Sequence, residues 1–416
     1  MKICIVTTRH ISYNPRVLKE ADVFAAHGID VSVVTVNNNA QQARFDEAMM
    51  KERKWRLVTV NFRREIKSEK LRWLFLSLQE KIFSVFSKFT YRYGVAERAS
   101  LKGFSALARL AKNEEADFYI AHHAEALGIA YAAAKNKGVR FGFDAEDFHT
   151  GMSESGSPSD KDSLLSFLEG KYLPHAAYIT AASKGIGEAY EKKYGLAKTT
   201  TILNVFPKEA TTVTSADFPV KFYWYSQVIG PNRSLETLLE AASQIDAPYE
   251  LHLRGSYCND AYKEFLQTLI KQKNLQKKVF IHPPIVAERI ITDASKYDVG
   301  LALETDVSYN RDVCVTNKIF SYLMAGLAIV GTDTYGQKDI FSHFKKAVLL
   351  CGKNNADELA QAMLYFIQHP EELTVAKRFA KEAAEERFNW EVESEKLLTL
   401  LEEKAGVLQQ GPLVLK

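Results

Sequence analysis

The stretch DVGLALETDVSYNRDVCVTNKIFSYLMAGLAIVGTD, residues 298–333, predicts one crossover unit of a parallel sheet. Its expected elements are the strand Val299–Leu303, the polar loop Glu304–Val315, the helix Asn317–Ala325 and the strand Leu327–Gly331. Thr316 is placed to cap the helix, and Gly326 is placed to end it because that position usually needs a positive φ. The stretch therefore predicts an α/β protein that binds ligands at the carboxyl ends of its strands.

Length and composition predict an ordinary globular protein with two or three domains, since the chain has 416 residues of which 46% are hydrophobic and 25% charged. A net charge of +3 gives no argument for nucleic-acid binding. The four cysteines are far apart and form no CxxC pair, which argues against a zinc site or a disulfide framework and favours a reducing cytoplasm. We expect no signal peptide and no membrane-spanning helix, because strand Ile3–Thr7 starts at once and no apolar run reaches about 18 residues.

Strand and helix patterns alternate in two blocks separated by one irregular segment. That segment, PKEATTVTSADFP at residues 207–219, is rich in Thr, bounded by Pro and without periodicity. We therefore expect a first α/β domain at residues 1–206, a linker at 207–219 and a second α/β domain at 220–388. No GxGxxG follows the first strand, so the dinucleotide-binding fingerprint is absent.

Residues 63–93 differ from the rest of the first block in mixing many aromatic with many basic side chains. The segment has eight Lys or Arg residues and three Glu residues. A basic amphipathic helix of this kind lies on anionic membrane surfaces, so the segment predicts peripheral membrane contact. The alternative is a pair of helices that pack their apolar side chains into the core and keep solvated basic faces.

Two polar clusters follow strands of the first block. They are the pair His122 and His123 and the group Asp144, Glu146, Asp147 and His149. Histidines at a strand-to-helix junction are placed to meet a phosphate or a sugar hydroxyl. Three carboxylates within four residues are expected to raise a carboxyl pKa, as general acid or base catalysis requires. They are also metal-ligand types, but no further ligand motif supports a metal site. The structural alternatives are helix capping or core packing for the histidines and a capped loop for the acids.

The segment NKIFSYLMAGLAIVGTD at residues 317–333 resembles the nucleotide-binding signature of GT-B glycosyltransferases, specifically the retaining family 4 (group 1), where the pattern is close to nKlfEYmaaGlPVVaTd. The opening PRVLKEADVFAAHGIDVSVVT and the segment FDAEDFH also resemble that family. The resemblance covers most of the chain and is weakest at residues 61–102. It implies two Rossmann-like doubly wound domains facing a central cleft, with residues 389–416 forming a helix that crosses back to the first domain and a tail.

The resemblance also implies roles for residues of the first domain. It puts His123, and after it His122, near the donor sugar or its phosphate, as the residues closest to the catalytic step. It puts on the acceptor side Asn14, Arg16, Asp144, Glu146, Asp147 and His149.

The donor nucleotide is implied in the second domain. The implied contacts to the donor phosphates are Asn232, Arg233 and Lys318, and those to the nucleotide are Gly255, Arg254, Ile285, Asn317 and Ser321. The sequence departs from the family at two points. Gln227 stands where the family has a phosphate-binding Arg, and the usual pair of glutamates falls on Val313 and Ser321. We expect Glu304 or Asp312 to supply the missing carboxylate.

The implied function is transfer of a hexose from a nucleotide-activated sugar to a saccharide or lipid-linked acceptor, with retention of configuration. No metal and no other cofactor is expected, and nucleic acid is not an expected partner. The implied setting is synthesis of cell-surface polysaccharide or glycoconjugate in the cytoplasm, including the inner face of the cell membrane. The rival interpretation is a non-catalytic partner protein that keeps the GT-B shell, which Gln227, Val313 and Ser321 favour. An epimerase or a phosphorylase on the same fold is a third interpretation, and the absence of a cofactor-lysine motif weakens the phosphorylase.

Overall fold

The computed structural model of the protein describes residues 1–153, 159–213, 215 and 218–405. The chain folds as two compact units, the first formed by Met1–Ala182, Ile186–Ile202 and the residues from Ser394, the second by Ser183–Gly185 and Leu203–Glu393. The change of unit after Ile202 falls a few residues before the expected boundary at residue 206. Residues 214, 216 and 217 of the expected linker and residues 406–416 of the expected tail lie outside the described residues.

The first unit is built on a parallel sheet, which has seven strands in the described part of the chain. These strands are β1 (Lys2–Val6), β2 (Asp30–Asn37), β3 (Arg56–Asn61), β4 (Phe118–His122), β5 (Arg140–Ala145), β6 (Ile179–Ala181) and β7 (Thr200–Thr201). They lie in the order β3-β2-β1-β4-β5-β6-β7. The order reverses direction between β1 and β4, which is the switch point where doubly wound sheets bind ligands.

Helices cover this sheet and connect its strands. They are α1 (Pro15–Ala26), α2 (Ala40–Met50), α3 (Lys70–Ser87), α4 (Val95–Ser100), α5 (Phe104–Asn113), α6 (Leu127–Lys137), α7 (Asp160–Tyr172) and α8 (Lys184–Tyr194). Helix α1 starts as the sequence predicts, since the Asn14 side chain accepts a hydrogen bond from the Val17 N–H and Pro15 occupies the first helical position. Its side chains Val17, Ala21 and Phe24 are fully buried.

The aromatic and basic segment forms α3, and it differs from the core-packing alternative. Leu76 is the one residue of α3 that is fully buried. Most other large apolar side chains of this helix are exposed, so the interpretation that they pack into the core is wrong. Among the described residues, no helix is both long enough and apolar enough to cross a membrane.

The second unit contains a parallel sheet of six strands within the described residues. These strands are β8 (Val220–Ile229), β9 (Tyr249–Tyr257), β10 (Val279–His282), β11 (Val299–Ala302), β12 (Ala328–Thr332) and β13 (Val348–Cys351). Their order is β10-β9-β8-β11-β12-β13, again doubly wound. Both units are therefore Rossmann-like parallel α/β structures, as the sequence predicts.

Nine helices of this region are described, the last of them continuing into residues of the first unit. They are α9 (Leu235–Ser243), α10 (Asp260–Gln272), α11 (Ile290–Ala294), α12 (Tyr309–Val313), α13 (Asn317–Ala325), α14 (Tyr335–Phe341), α15 (Ala356–Gln368), α16 (Pro370–Glu386) and α17 (Trp390–Ala405). A continuous core joins apolar side chains of β8, β9, β11 and β12 to those of α9, α10, α15 and α16.

The crossover unit at residues 298–333 folds largely as predicted. Helix α13 has the predicted bounds, and Gly326 ends it with a φ of 73°. The expectation of a helix-free loop after β11 is wrong, because Ser308 caps the short helix α12 through a hydrogen bond from the Arg311 N–H. Thr316 stands at the cap position of α13, but its hydroxyl is buried and has no hydrogen-bond partner among the described residues.

Strands β8 and β9 are longer than the sequence predicts. The expected turn at Arg254-Gly255 is wrong, since β9 continues to Tyr257 and pairs with β8 beyond a register shift between Tyr225 and Val228. Gly255 has a φ of 155°, and a Cβ there would lie 2.5 Å from the Ser226 carbonyl oxygen. This glycine is therefore required by the close approach of the two strands at the irregularity.

Replacing Gly255 with Ala should destabilise the second unit by about 1–3 kcal/mol, because the added methyl group overpacks backbone that has little freedom to move. The measurement is the midpoint of thermal or urea unfolding. Gly170→Ala in α7 is the control, since the nearest atom to a Cβ there is 3.7 Å away and Ala favours a helix. Equal midpoints for the Gly255 variant and the unmodified protein would contradict the packing described here.

Candidate functional site

The first polar cluster lies where β1, β4 and β5 end at one edge of the first sheet. β4 is hydrogen-bonded to β1 on one side and to β5 on the other, with His122 in register with Asp144. Parallel pairing therefore brings Thr7, His123 and Glu146, the residues that follow these strands, to the same edge. The start of α1 contributes Asn14 and Arg16 to this edge.

Arg16 and Asp144 form a buried bidentate ion pair. The Arg16 Nε and Nη2 atoms donate to the two Asp144 carboxylate oxygens at 2.5 and 2.7 Å, and Nη1 donates to the Ile202 carbonyl oxygen at 2.7 Å. The Thr180 hydroxyl also donates to Asp144. Burial alone would raise the pKa of Asp144, but the Arg16 guanidinium outweighs it and lowers this pKa below its usual range. Asp144 is thus held as a carboxylate.

His122 is completely buried between two carboxylates. Its Nε2 atom lies 2.5 Å from a Glu20 oxygen, and its Nδ1 atom lies 3.0 Å from a Glu146 oxygen. Asn14 donates a further hydrogen bond to that Glu146 oxygen at 2.8 Å. Burial alone would lower the pKa of His122, but Glu20 and Glu146 outweigh it and raise the pKa to about 10. His122 is therefore a cation at neutral pH.

The expectation that crowding raises a carboxyl pKa in this cluster is wrong for Asp144 and Glu146. Burial raises the pKa of Glu146, but hydrogen bonding to His122 lowers it well below its usual range. The cause is that Arg16 and His122 were brought in from other elements of the fold, which the local spacing of acids does not reveal. General acid catalysis by Asp144 or Glu146 at neutral pH is not favoured by these environments.

His122, Asp144 and Glu146 are close enough together for one metal ion, since one ligand atom of each lies within 4.8 Å of the others. The donor set does not fit a metal, however. A protonated imidazole has no lone pair to offer, and both Asp144 oxygens already accept hydrogen bonds from Arg16. The arrangement is that of a buried ion network.

His123 has a different environment from its neighbour. It follows β4 with a φ of 70°, which is unusual for a residue other than Gly. Its Nδ1 atom lies 3.4 Å from the Thr7 hydroxyl and 3.3 Å from the Thr8 hydroxyl. Burial lowers its pKa to about 4, so the ring is neutral at neutral pH and offers one donor and one acceptor.

His149 lies beside His123, with their ring centroids 6.2 Å apart. It is buried, and its Nε2 atom has no hydrogen-bond partner among the described residues. Asp147 is half-buried, and its carbonyl oxygen accepts a hydrogen bond from Tyr190. The structure therefore gathers the predicted residues of the first unit near one sheet edge, with Arg16 and Asp144 committed to each other.

Sequence reasoning missed Glu20, Thr7 and Thr8. Glu20 lies one helical turn after Arg16, on the side of α1 that carries the apolar side chains. A charged pair at this spacing on a buried face was the available signal. No sequence pattern marked the two threonines, which reach His123 only because β1 and β4 are neighbours in the sheet.

In the second unit, a buried carboxylate follows β11. Glu304 is 3% exposed, and its two oxygens lie 2.8 Å from the Arg311 Nη1 atom and 2.8 Å from the Lys318 Nζ atom. Burial alone would raise the pKa of Glu304, but Lys318 and Arg311 outweigh it and lower the pKa. Two cations thus share one carboxylate beside the start of α13, where Asn317 is exposed.

Arg254 holds neighbouring elements together. Its guanidinium lies 2.9 Å from an Asp293 oxygen and donates to the Tyr223 hydroxyl at 3.1 Å and the Pro283 carbonyl oxygen at 2.7 Å. Ile285 follows on the same connection after β10 and is half-buried. The Arg254 charge is therefore already balanced within its own sheet edge.

Ser321 is completely buried in α13. Its hydroxyl donates to the Lys318 carbonyl oxygen at 2.8 Å and lies 2.8 Å from the Tyr225 hydroxyl. Asp312 accepts hydrogen bonds from Lys353 Nζ and the Tyr335 N–H. Its carboxylate therefore pairs with a different cation from that of Glu304.

The loop between β8 and α9 carries two residues in the left-handed region. Asn232 has a φ of 59° and Ser234 a φ of 58°, and Arg233 lies between them, half-buried. The Ser234 hydroxyl is buried and has no hydrogen-bond partner within the described part of the chain. Strained backbone of this kind is common where a loop is shaped for a ligand.

No protein-family model matches the sequence, and no curated protein matches it. Solved structures do resemble the fold. HepE from Anabaena, solved in complex with UDP, has a TM-score of 0.68 at 14% identity, with 97% of this chain and 100% of HepE covered. Sucrose-phosphate synthase from Thermosynechococcus elongatus has a TM-score of 0.68 at 16% identity, with 97% and 98% covered.

TarM from S. aureus, solved with fondaparinux, α-GlcNAc-glycerol and UDP, has a TM-score of 0.67 at 11% identity, with 96% of this chain and 99% of TarM covered. These structural neighbours are GT-B glycosyltransferases. The chain therefore has the GT-B fold, as its sequence predicts.

The two adjacent histidines should give the protein opposite pH dependences on the two sides of about pH 6.5, the ordinary histidine pKa. His122, with a folded pKa of about 10, stabilises fully below pH 6.5, and this contribution is lost as the pH rises toward 10. His123, with a folded pKa of about 4, costs stability as the pH falls from 6.5 toward 4.

We therefore expect the unfolding midpoint to fall between pH 6.5 and 9 in the unmodified protein and to vary less over that range in His122→Gln. The measurement is thermal unfolding across this pH range. His175→Gln, at an exposed position, should keep the original profile. An identical alkaline slope in His122→Gln and the unmodified protein would contradict the buried cation.

Proposed function

We propose that the protein transfers a hexose from a nucleotide-activated sugar to a saccharide or lipid-linked acceptor. The observation that carries the proposal is the crossover unit at residues 298–333, where a helix start and two cations meet at the carboxyl end of a strand. This unit lies on the fold of HepE and TarM, both of which were solved with UDP.

The charge balance of the crossover unit suits a diphosphate. Arg311 and Lys318 together carry two positive charges, and Glu304 neutralises one of them. The remaining positive charge and the free N–H groups at the start of α13 favour an anion. Arg233, with Asn232 beside it, is the proposed further contact, because guanidinium groups bind phosphate in a bidentate manner. These groups would stabilise the charge that develops on the leaving phosphate.

The nucleotide itself is proposed to lie along the carboxyl ends of β8, β9 and β10. Gly255, Ile285, Asn317 and the Tyr225–Ser321 hydroxyl pair supply the surface there. Arg254 supports this surface through Asp293 and Tyr223 and is a positioning residue in the proposal.

In the first unit, His123 is the residue proposed to orient the sugar. A neutral imidazole can accept a hydrogen bond from one hydroxyl and donate to another without an ionic preference. His122 acts on His123 through the backbone and through the network that fixes β4. Asn14, Glu146, Asp147 and His149 remain the proposed acceptor-side residues.

The remaining parts of the proposal follow from the family resemblance. Transfer proceeds with retention and needs no metal or other cofactor, and Glu304 and Asp312 act in place of the family's two glutamates. The reaction serves cell-surface polysaccharide or glycoconjugate synthesis. A cytoplasmic location agrees with the four free cysteines, because a reducing compartment maintains thiols.

A non-catalytic partner protein with a degenerate donor site is the second candidate. It is favoured by the pairing of Arg254 and Lys318 with buried carboxylates, which occupies both cations that were expected to replace the missing phosphate ligand. The complete burial of Ser321, where the family has a ribose-binding glutamate, also favours it.

A thermal-shift panel of UDP, GDP, TDP, CMP and their common sugars distinguishes the two candidates. A ligand at about 100 times its Kd stabilises the folded protein by roughly 2.7 kcal/mol, which shifts the midpoint measurably. The enzyme proposal predicts stabilisation by one nucleotide class, with the nucleotide sugar and the free nucleotide both active. No shift with any ligand would favour the non-catalytic partner.

Arg233→Ala tests the proposed site within the same panel. Loss of a phosphate contact should reduce the shift given by the nucleotide, and it should lower turnover of donor sugar far more than it changes acceptor affinity. Arg378→Ala removes an exposed guanidinium from α16 and is the matched control. Equal nucleotide shifts and equal turnover in both variants and the unmodified protein would refute the role given to Arg233.

A further inference from the structure

We propose that α3 docks the protein on an anionic lipid surface. The proposal concerns its outward side, which we term the apolar face and which consists of Leu71, Leu74, Phe75, Leu78, Ile82, Val85 and Phe86 within the helix and Phe89 just after it. All eight side chains are exposed, from 44% for Ile82 to 82% for Phe89. The inference rests on this surface alone and does not depend on glycosyl transfer.

The apolar face is continuous along the helix. Its residues follow one another at intervals of three, four or one, which is the spacing of a single helical face. At 3.6 residues per turn they fall within an arc of roughly 120°. Large exposed apolar patches on a folded protein mark sites where a partner or a membrane binds.

The opposite side of α3 already has its packing partners. Leu76 is buried and, with Phe62, lies close to Gly103. Arg98 lies over the Phe83 ring and Lys102 over the Trp73 ring, each at 5.2 Å. The helix is therefore fixed to the first unit by one side while the apolar face points away from that packing.

Basic side chains border the apolar face. Lys70, Lys81 and Lys88 are exposed and follow one border, and Arg72 lies on the other. Residues 63–93 contain eight basic and three acidic residues. Two of the acids are already paired, Glu69 with Arg63 and Glu80 with Lys102, so they leave the border positive.

This charge pattern selects the occupant. A second copy of the chain would bring two positive borders together around the same apolar face, and like charges at a contact oppose association. An anionic lipid surface takes both parts of the pattern, because its headgroups attract the lysines and its acyl region accepts leucine and phenylalanine side chains. Each basic residue near such a surface is expected to strengthen binding by about fivefold at moderate salt.

The test is flotation of the full-length protein with two kinds of vesicle, phosphatidylcholine alone and phosphatidylcholine mixed with phosphatidylglycerol. We expect binding to the anionic vesicles and much weaker binding to the neutral ones, with a fall as salt is raised. The double variant Phe75→Glu/Phe86→Glu should lose at least tenfold in affinity for the anionic vesicles.

Matched controls separate this surface from general effects of charge. Phe265→Glu places the same substitution at a phenylalanine of α10 that is 48% exposed, and it should bind as the unmodified protein does. Lys70→Gln/Lys81→Gln/Lys88→Gln should lose at least tenfold in affinity, whereas Lys263→Gln/Lys271→Gln/Lys277→Gln, at three exposed positions of the second unit, should lose much less. Unfolding midpoints of all variants check that they are folded.

Three outcomes would overturn the proposal. The first is no binding to the anionic vesicles at low salt, and the second is binding that the α3 variants and their controls change equally. The third is concentration-dependent dimerisation in sedimentation velocity that Phe75→Glu/Phe86→Glu abolishes, without vesicle binding, which would assign the face to a second copy of the chain. The thermal-shift panel reports on the nucleotide site independently, so failure of either proposal can be recognised separately.

Discussion

The buried ion pair between Arg16 and Asp144 is the interaction on which the first unit's functional edge depends. It joins the first turn of α1 to the end of β5, and through the Ile202 carbonyl oxygen it also reaches the residue after β7. A charge buried this deeply is tolerated only when its partner and its remaining hydrogen bonds are in place, because desolvation of an isolated ion costs several kcal/mol. Glu20, His122 and Glu146 extend the same logic to β4. The network commits its charges internally and leaves His123 neutral and adjacent to two threonine hydroxyls.

The second unit distributes its charges differently at the corresponding edge of its own sheet. Asp293 balances Arg254, whereas Glu304 faces two cations, Arg311 and Lys318. One edge position is therefore neutral and packed, and another keeps positive charge near the start of a helix. This difference gives the proposed nucleotide site its physical basis, since phosphate binding needs a positive potential and free N–H groups more than it needs any one side chain.

The sequence was sufficient for features that depend on local periodicity and capping. The bounds of α13, the start of α1 at Asn14 and the αL residue Gly326 each follow from neighbouring residues. Features that depend on distant pairing were not predicted. The pKa values of Asp144 and Glu146 are set by Arg16 and His122, which come from other elements. The extension of β9 through Gly255 depends on an irregularity in β8, and the exposure of the α3 apolar face depends on which side packs on its neighbours.

A double-mutant cycle at Arg16 and Asp144, read by hydrogen exchange at the amides of β1, β4 and β5, tests the central claim most directly. If the pair is the support described here, Arg16→Met and Asp144→Asn should each lower the free energy of opening by about 3–5 kcal/mol, because each leaves a buried group without its partner. The double variant should then lose much less than the sum of the two single losses. Small single effects that simply add would contradict the account, because the two charges would then not support this edge of the sheet.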